Sequence, residues 1–264
     1  MLKAKGLEYE ERGQGDTVLL IHGAFVSDAL SLVAREPALT ERYRTIWYRR
    51  RGYGGSDSVS PPFSIAQQAG DAQALLEHLG VERAHVVGHS GGGVIATELA
   101  LQAPQLVRSL VVLEPAIMPP PIAAAFPEML APARKAYLSG DAPGGVDSFM
   151  NLIGSDLDWR SQLVKTLPDG PEQADHDAHV TFDVDLPQIS EWIFDGDRGG
   201  LLSLPVCYVF GEESGPMIEA ARDHFLSLVP KAEEVRLPGL DHSMCTEGPA
   251  LVAEAVAEFV ARQP

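Results

Sequence analysis

Alternation of apolar runs restricts this fold more than any other feature: strand-length stretches rich in β-branched residues take turns with helix-length amphipathic ones. TVLLIHG (17–23), YRTIWYR (43–49), AHVVGHS (84–90), LVRSLVVLE (106–114), LPVCYVFG (204–211) and AEEVRLPG (232–239) read as strands. FSIAQQAGDAQALLEHLG (63–80), GGGVIATELALQAP (91–104) and PALVAEAVAEFVARQ (249–263) read as helices. Near-continuously apolar strands are what a sheet covered by helices on both faces requires. The expected fold class is therefore α/β, a mostly parallel, doubly wound sheet. Residues 118–200 interrupt the alternation, opening with MPPP and holding helix-like pieces but no convincing strand. They read as an inserted helical cap on a core formed by 1–117 and 201–264, with PPP (119–121) as a stiff exit from that core.

Composition narrows the partners. A formal net charge of −17 argues against nucleic acid and anionic membranes, which need clustered Lys and Arg. The opening MLKAKGLEYEERGQG has no signal-like apolar core, and nowhere do about 18 apolar residues run together, so a cytoplasmic protein without a membrane span is expected. Cys207, in a strand-like run, and Cys245, in a loop-like one, are too few for a disulfide framework and lack metal-ligand spacing. DHDAHV (175–180) resembles a metal site only in composition; on a helix Asp175 and His179 would form an ordinary i,i+4 pair.

The strongest chemical signal is VVGHSGGG (86–93), where Gly88, Ser90 and Gly92 form G-x-S-x-G directly after a strand and before a helix. A serine on so tight a turn has its hydroxyl forced out over the sheet end, and small neighbours let the turn close. Ser90 is the candidate nucleophile, and it needs a base to take its proton. His78 and His85 flank the elements leading into the turn, His176 and His179 lie in the cap, and His224 falls in an amphipathic stretch. His22 belongs to the LLIHG turn, and His89 is held beside the nucleophile. His242, in the loop PGLDHSM near the C-terminus, remains as the base. Backbone amides for a tetrahedral oxyanion would come from Gly91, opening the elbow helix, and Ala24, after LLIHG, with His22 and Gly23 structural.

Taken together, LLIHG, RRRGYGGSD, GHSGGG, LEPA, PVCYVFGEES and GLDHS resemble, in order and over essentially the whole length, the α/β-hydrolase superfamily. Under that resemblance RRRGYGGSD (49–57) corresponds to the turn after the second parallel strand, where an Asp often replaces Arg49. Arg50, Arg51 and Gly52 then read as packing and loop geometry.

The sequence departs from the family after PVCYVFG, where the position usually holding the catalytic Asp is Ser214. Glu212 and Glu213 are displaced by two positions and one. Some branches, including certain lactone hydrolases and haloalkane dehalogenases, instead carry the acid at the end of the strand after the elbow helix, which here is Glu114 in LVVLEPA. A carboxylate there can accept from the base's N–H and fix its tautomer. Glu114 is the favoured acid, with Glu213 and Glu212 as alternatives.

Cap aromatics and methionines would roof an apolar pocket, with Phe25, Met118, Trp159 and Phe182 as candidate substrate contacts. The resulting expectation is a serine hydrolase acting on a carboxylic ester or lactone of modest size and apolar character through an acyl-enzyme. It needs no cofactor or metal, its partner is a small-molecule substrate, and a homodimer is left open. Serine at the elbow argues against dehalogenase and epoxide hydrolase chemistry, which in this superfamily uses a carboxylate nucleophile. Carbon–carbon bond hydrolysis, acyl transfer and a hydrolase-like ligand receptor stay open as alternatives.

Overall fold

The computed structural model describes residues 1–154 and 158–263. Its sheet has eight strands: β1 (Leu2–Ala4), β2 (Leu7–Arg12), β3 (Thr17–Ile21), β4 (Arg44–Arg49), β5 (Ala84–His89), β6 (Val107–Leu113), β7 (Val206–Gly211) and β8 (Glu233–Leu237). They are ordered β1-β2-β4-β3-β5-β6-β7-β8. The six strands expected from the sequence are all present and run parallel from β4 to β8. Two N-terminal strands add an antiparallel edge that the apolar runs did not announce. β1 is three residues long, and in β2 only Leu7 and Tyr9 face the core while the glutamates alternate outward.

Both sheet faces are covered. Along β3, Leu19 and Ile21 pack with helices Ile65–His78, Gly91–Gln102 and Pro216–Leu228. Val18 and Leu20 pack on the opposite face with helices Ala29–Ala34 and Pro249–Val260. Alternate residues thus serve different layers, which is why the strand is apolar throughout. Helix Ile65–His78 starts where the sequence supplies a capping box: the Ser64 hydroxyl accepts from the Gln67 amide while the Gln67 side chain accepts from the Ser64 amide. No helix among the described residues is long and apolar enough to cross a membrane.

Between β6 and β7 the described residues form helices and no strand. The first is Pro120–Leu138, and the segment ends with Gly196–Gly200. Leu130, Val146, Phe149, Trp159, Leu163 and Phe182 form a separate apolar cluster closed from below by Phe25. Phe25 stands edge-on to Phe149 and Phe182, with ring centroids 5.0 and 5.5 Å away. The later part of the segment joins the main core instead, through Ile189, Trp192 and Phe194. Two local expectations are corrected. The helix through DHDAHV breaks at Asp177, so Asp175 pairs with Arg160 at 2.8 Å and His179 bonds the His176 carbonyl; the i,i+4 pair does not form. Cys245 lies not in a loop but on the short helix Met244–Glu247, buried like Cys207.

Candidate active site

Ser90 follows β5 with φ 52° and ψ −121°, backbone angles that an L residue adopts only under constraint. The turn closes because its neighbours lack side chains: a Cβ on Gly88 would strike the Gly92 carbonyl, and one on Gly92 would strike the Ile21 carbonyl. Ser90 is tied to the end of β6, since its amide donates to Leu113 O (3.0 Å) and its carbonyl accepts from the Ala116 amide (3.1 Å). Between those residues lies Glu114, itself at φ 44°. Strained backbone therefore clusters at the two chain crossings that present the serine and the carboxylate.

Glu114 is 1% exposed, and both its oxygens are in use. Oε2 lies 2.7 Å from His242 Nδ1. Oε1 accepts from the Gly211 amide at 2.8 Å and from the Ser214 hydroxyl at 2.6 Å. With a carboxylate partner, the neutral ring of His242 carries its proton on Nδ1 and presents Nε2 as the acceptor. Ser214, which stands where the resemblance places an Asp, donates to the carboxylate that β6 supplies. Glu212 and Glu213 are exposed beside it. His89 stacks obliquely near His242 with ring centroids 4.8 Å apart, and its Nε2 lies 3.1 Å from the His242 carbonyl. Burial, with His242 beside it, takes its pKa down to about 3, so it is neutral and donates to that carbonyl.

The Ala24 and Gly91 amides are not spent on any hydrogen bond among the described residues. Gly23 permits the loop after β3 to approach the elbow, because a Cβ there would sit 3.0 Å from Ser90 Cβ. Two cavities meet at Ala24, Ser90 and His242. The larger, about 470 Å³, is walled by Phe25, Met150, Trp159 and the 242–247 segment, with Gln162 and Lys165 toward solvent. The smaller, about 160 Å³, is bounded by Gly91, Glu114, Met118, Ile189 and Trp192. Phe182 lines neither cavity; it is 2% exposed, stacked on Tyr137 within the helical cluster. Phe149, one of the cap aromatics expected to roof the pocket but not singled out as a contact, reaches both cavities, as does Ile153, which the sequence did not suggest; nor did it suggest Ser214, whose only signal was the missing Asp.

A parallel sheet with a strained serine between β5 and its helix, and a histidine–carboxylate pair at the ends of later strands, defines the α/β-hydrolase class of fold. Residues 18–255 match the model of the alpha/beta hydrolase family, and the chain belongs to that family. Among curated proteins it is similar to RutD of Azorhizobium caulinodans, which is named as a candidate carbamate hydrolase, at 42% identity over 106 residues. That match covers 40% of this chain and 40% of the relative, so less than half of the relative's length is spanned. Among solved structures it is similar to an alpha/beta hydrolase from Sphaerobacter thermophilus, with TM-score 0.78 and 24% identity over 96% of each chain. It is also similar to Est816, described as an N-acyl homoserine lactone degrading enzyme, with TM-score 0.72 and 23% identity over 97% of this chain and 98% of that one.

Proposed function

We propose that the protein is a serine hydrolase cleaving a carboxylic ester or lactone of small to medium, largely apolar substrates through an acyl-enzyme. The observation that carries this reading is the buried 2.7 Å contact from Glu114 to His242 Nδ1, which makes Nε2 the accepting nitrogen of the neutral ring, in a histidine that lines the same two cavities as Ser90. In this mechanism Nε2 takes the Ser90 proton as Oγ attacks the acyl carbon, and the amides of Ala24 and Gly91 receive the oxyanion. His242 then protonates the leaving oxygen, and water activated by the same nitrogen releases the acid. Glu114 stabilises the imidazolium without itself taking the proton. The helical segment 118–200 acts as the roof that excludes water from this step.

Two unequal cavities meeting at Ser90 suit a substrate with two arms. The smaller is close in size to the cavity of about 150 Å³ that holds a benzene molecule, which favours a compact apolar acyl group there. The larger flanks the 242–247 segment and opens on polar side chains, which suits the leaving arm that His242 protonates. A carbamate and an N-acyl homoserine lactone, the compounds named for two similar proteins, both carry an acyl carbon open to such attack. The test is p-nitrophenyl butyrate turnover by the parent and by Ser90→Ala. The variant is expected to lose turnover by at least about a thousandfold. Undiminished turnover by Ser90→Ala refutes the mechanism, whereas tight ligand binding without turnover by the parent points to a receptor.

A further inference from the structure

Ala24's amide belongs to a peptide whose opposite side is clamped. The Gly23 carbonyl lies 2.9 Å from Arg50 Nη2 and 2.7 Å from His22 Nδ1. His22 Nε2 accepts from the Arg50 amide at 2.9 Å, so its proton sits on Nδ1 and is donated to Gly23 O. Burial, reinforced by the Arg50 charge, holds the His22 pKa well below its usual value and keeps the ring neutral. A trans peptide is planar, with its C=O and N–H pointing in opposite directions. Fixing the Gly23 oxygen therefore fixes the direction in which the Ala24 N–H points. On the far side of Ala24, the Phe25 amide donates to Thr181 Oγ1 at 3.2 Å.

Arg50 is 4% exposed, and each of its five guanidinium protons has an acceptor. Nε donates to His22 O (3.2 Å), Nη1 to Gln68 Oε1 (2.7 Å) and Asp185 Oδ1 (2.9 Å), and Nη2 to Gly23 O and to Asp185 Oδ2 (2.7 Å). Asp185, 3% exposed, also accepts from the Tyr53 hydroxyl at 2.6 Å, and that hydroxyl lies 2.8 Å from Thr181 Oγ1. Thr181 and Asp185 open and close a π-helical turn of the insert. Such wide turns are rare and recur at functional sites, and this one turns Thr181 to the Phe25 amide in the loop after β3 and Asp185 to Arg50 and Tyr53 in the loop after β4. A buried ion pair with a two-pronged contact holds its partners in one geometry more firmly than neutral hydrogen bonds do.

We infer that Arg50, locked by Asp185 of the helical insert, is a positioning residue that aims the Ala24 amide at the oxyanion, so that the insert and the oxyanion site are set as one unit. This rests on the serine-hydrolase reading above. Arg50 lines neither cavity, although Asp185 borders the smaller one; Arg50 acts through the Gly23–Ala24 peptide.

The test compares the parent, Ser90→Ala, Asp185→Asn and the double variant Arg50→Met/Asp185→Leu in the full chain. The double variant replaces a buried ion pair by apolar side chains, an exchange that other folds tolerate. Thermal unfolding is measured alongside kcat and KM for p-nitrophenyl butyrate and Ki for butylboronic acid, whose tetrahedral adduct places an oxygen in the oxyanion site. The double variant is expected to unfold cooperatively and to lose kcat by roughly 10- to 100-fold, with KM within about threefold and Ki raised by the same factor as kcat falls. A purely structural role lowers the unfolding temperature without raising Ki. Unchanged kcat and Ki in the folded double variant overturn the inference. If the double variant does not fold, Asp185→Asn decides: a matched fall in kcat and rise in Ki supports the inference, and parent-like values for both overturn it. A parent without turnover, or Ser90→Ala with parent turnover, defeats the underlying mechanism and this inference with it. Ser90-dependent turnover that ignores Arg50 and Asp185 defeats the inference alone.

Discussion

Replacing Glu114 by glutamine tests the β6 carboxylate with almost no change in volume. The native oxygens meet three donors: His242 Nδ1 on Oε2, and the Gly211 amide and Ser214 hydroxyl on Oε1. A glutamine offers one oxygen and one NH₂. If the NH₂ faces His242, the imidazole must present Nδ1 as an acceptor, so its proton moves to Nε2 and the ring cannot accept from Ser90. If the NH₂ faces the other way, it meets the fixed Gly211 N–H, leaving a buried donor unpaired at about 1–3 kcal/mol. Both arrangements remove the charge that stabilises the imidazolium. The equivalent carboxylate-to-amide exchange in a Ser-His-Asp enzyme costs about 10⁴ in kcat, through the wrong histidine tautomer. The expected fall is therefore about 10³- to 10⁴-fold, or about 4–5 kcal/mol at 1.36 kcal/mol per tenfold, with KM little altered. Steady-state hydrolysis of p-nitrophenyl butyrate near pH 8 measures it, with Glu212→Gln and Glu213→Gln as controls. Both control side chains are exposed, and their variants should stay within about threefold of the parent. A Glu114→Gln enzyme within tenfold of the parent, or a control variant that falls a thousandfold, refutes the assignment.

Two further outcomes concern stability. Ser90→Gly should be inactive yet more stable by about 1–2 kcal/mol in urea titration, because glycine relieves the strain at φ 52°; a less stable variant would show that the turn is not strained. His85 is buried on β5 with Nδ1 2.8 Å from Ser109 Oγ, and burial takes its pKa down to about 4. The unfolded chain, with a histidine pKa near about 6.5, binds the proton that the folded ring refuses, so this ring's contribution is intact above pH ~6.5 and is lost as the pH falls toward about 4. Between pH 8 and pH 5 the loss is about 2 kcal/mol, and His85→Gln should abolish that part of the pH dependence of urea stability; an unchanged slope would place the acid sensitivity elsewhere.

Local pattern carried most of the architecture. Six strands, the elbow turn and the long helices could be read directly, because burial on both faces forces continuous apolar runs and because the tight turn after β5 tolerates only glycine at Gly88 and Gly92. β1 and β2 were not legible, since edge strands with one wet face carry little apolar signal. LVVLEPA posed the question of a buried carboxylate, but only the crossing of β6 with the loops after β7 and β8 brings Glu114 against His242, Gly211 and Ser214, residues 128, 97 and 100 positions away. Phe182 and Phe149 look alike as cap aromatics in sequence. Helix packing buries both in one cluster, and only Phe149 also borders the cavities. Arg50 sits in a run of three arginines and reads in sequence like its neighbour Arg51, as packing and loop geometry. In the folded chain Arg49 pairs with Glu8 and Asp28 and Arg51 with Asp71, while Arg50 alone turns inward to Asp185, 135 residues away. The sequence by itself determined the periods and tight turns, because these depend on neighbours along the chain. The pairing of buried charges was decided by the tertiary structure, because a desolvated carboxylate or guanidinium is tolerated only where distant segments deliver its partners.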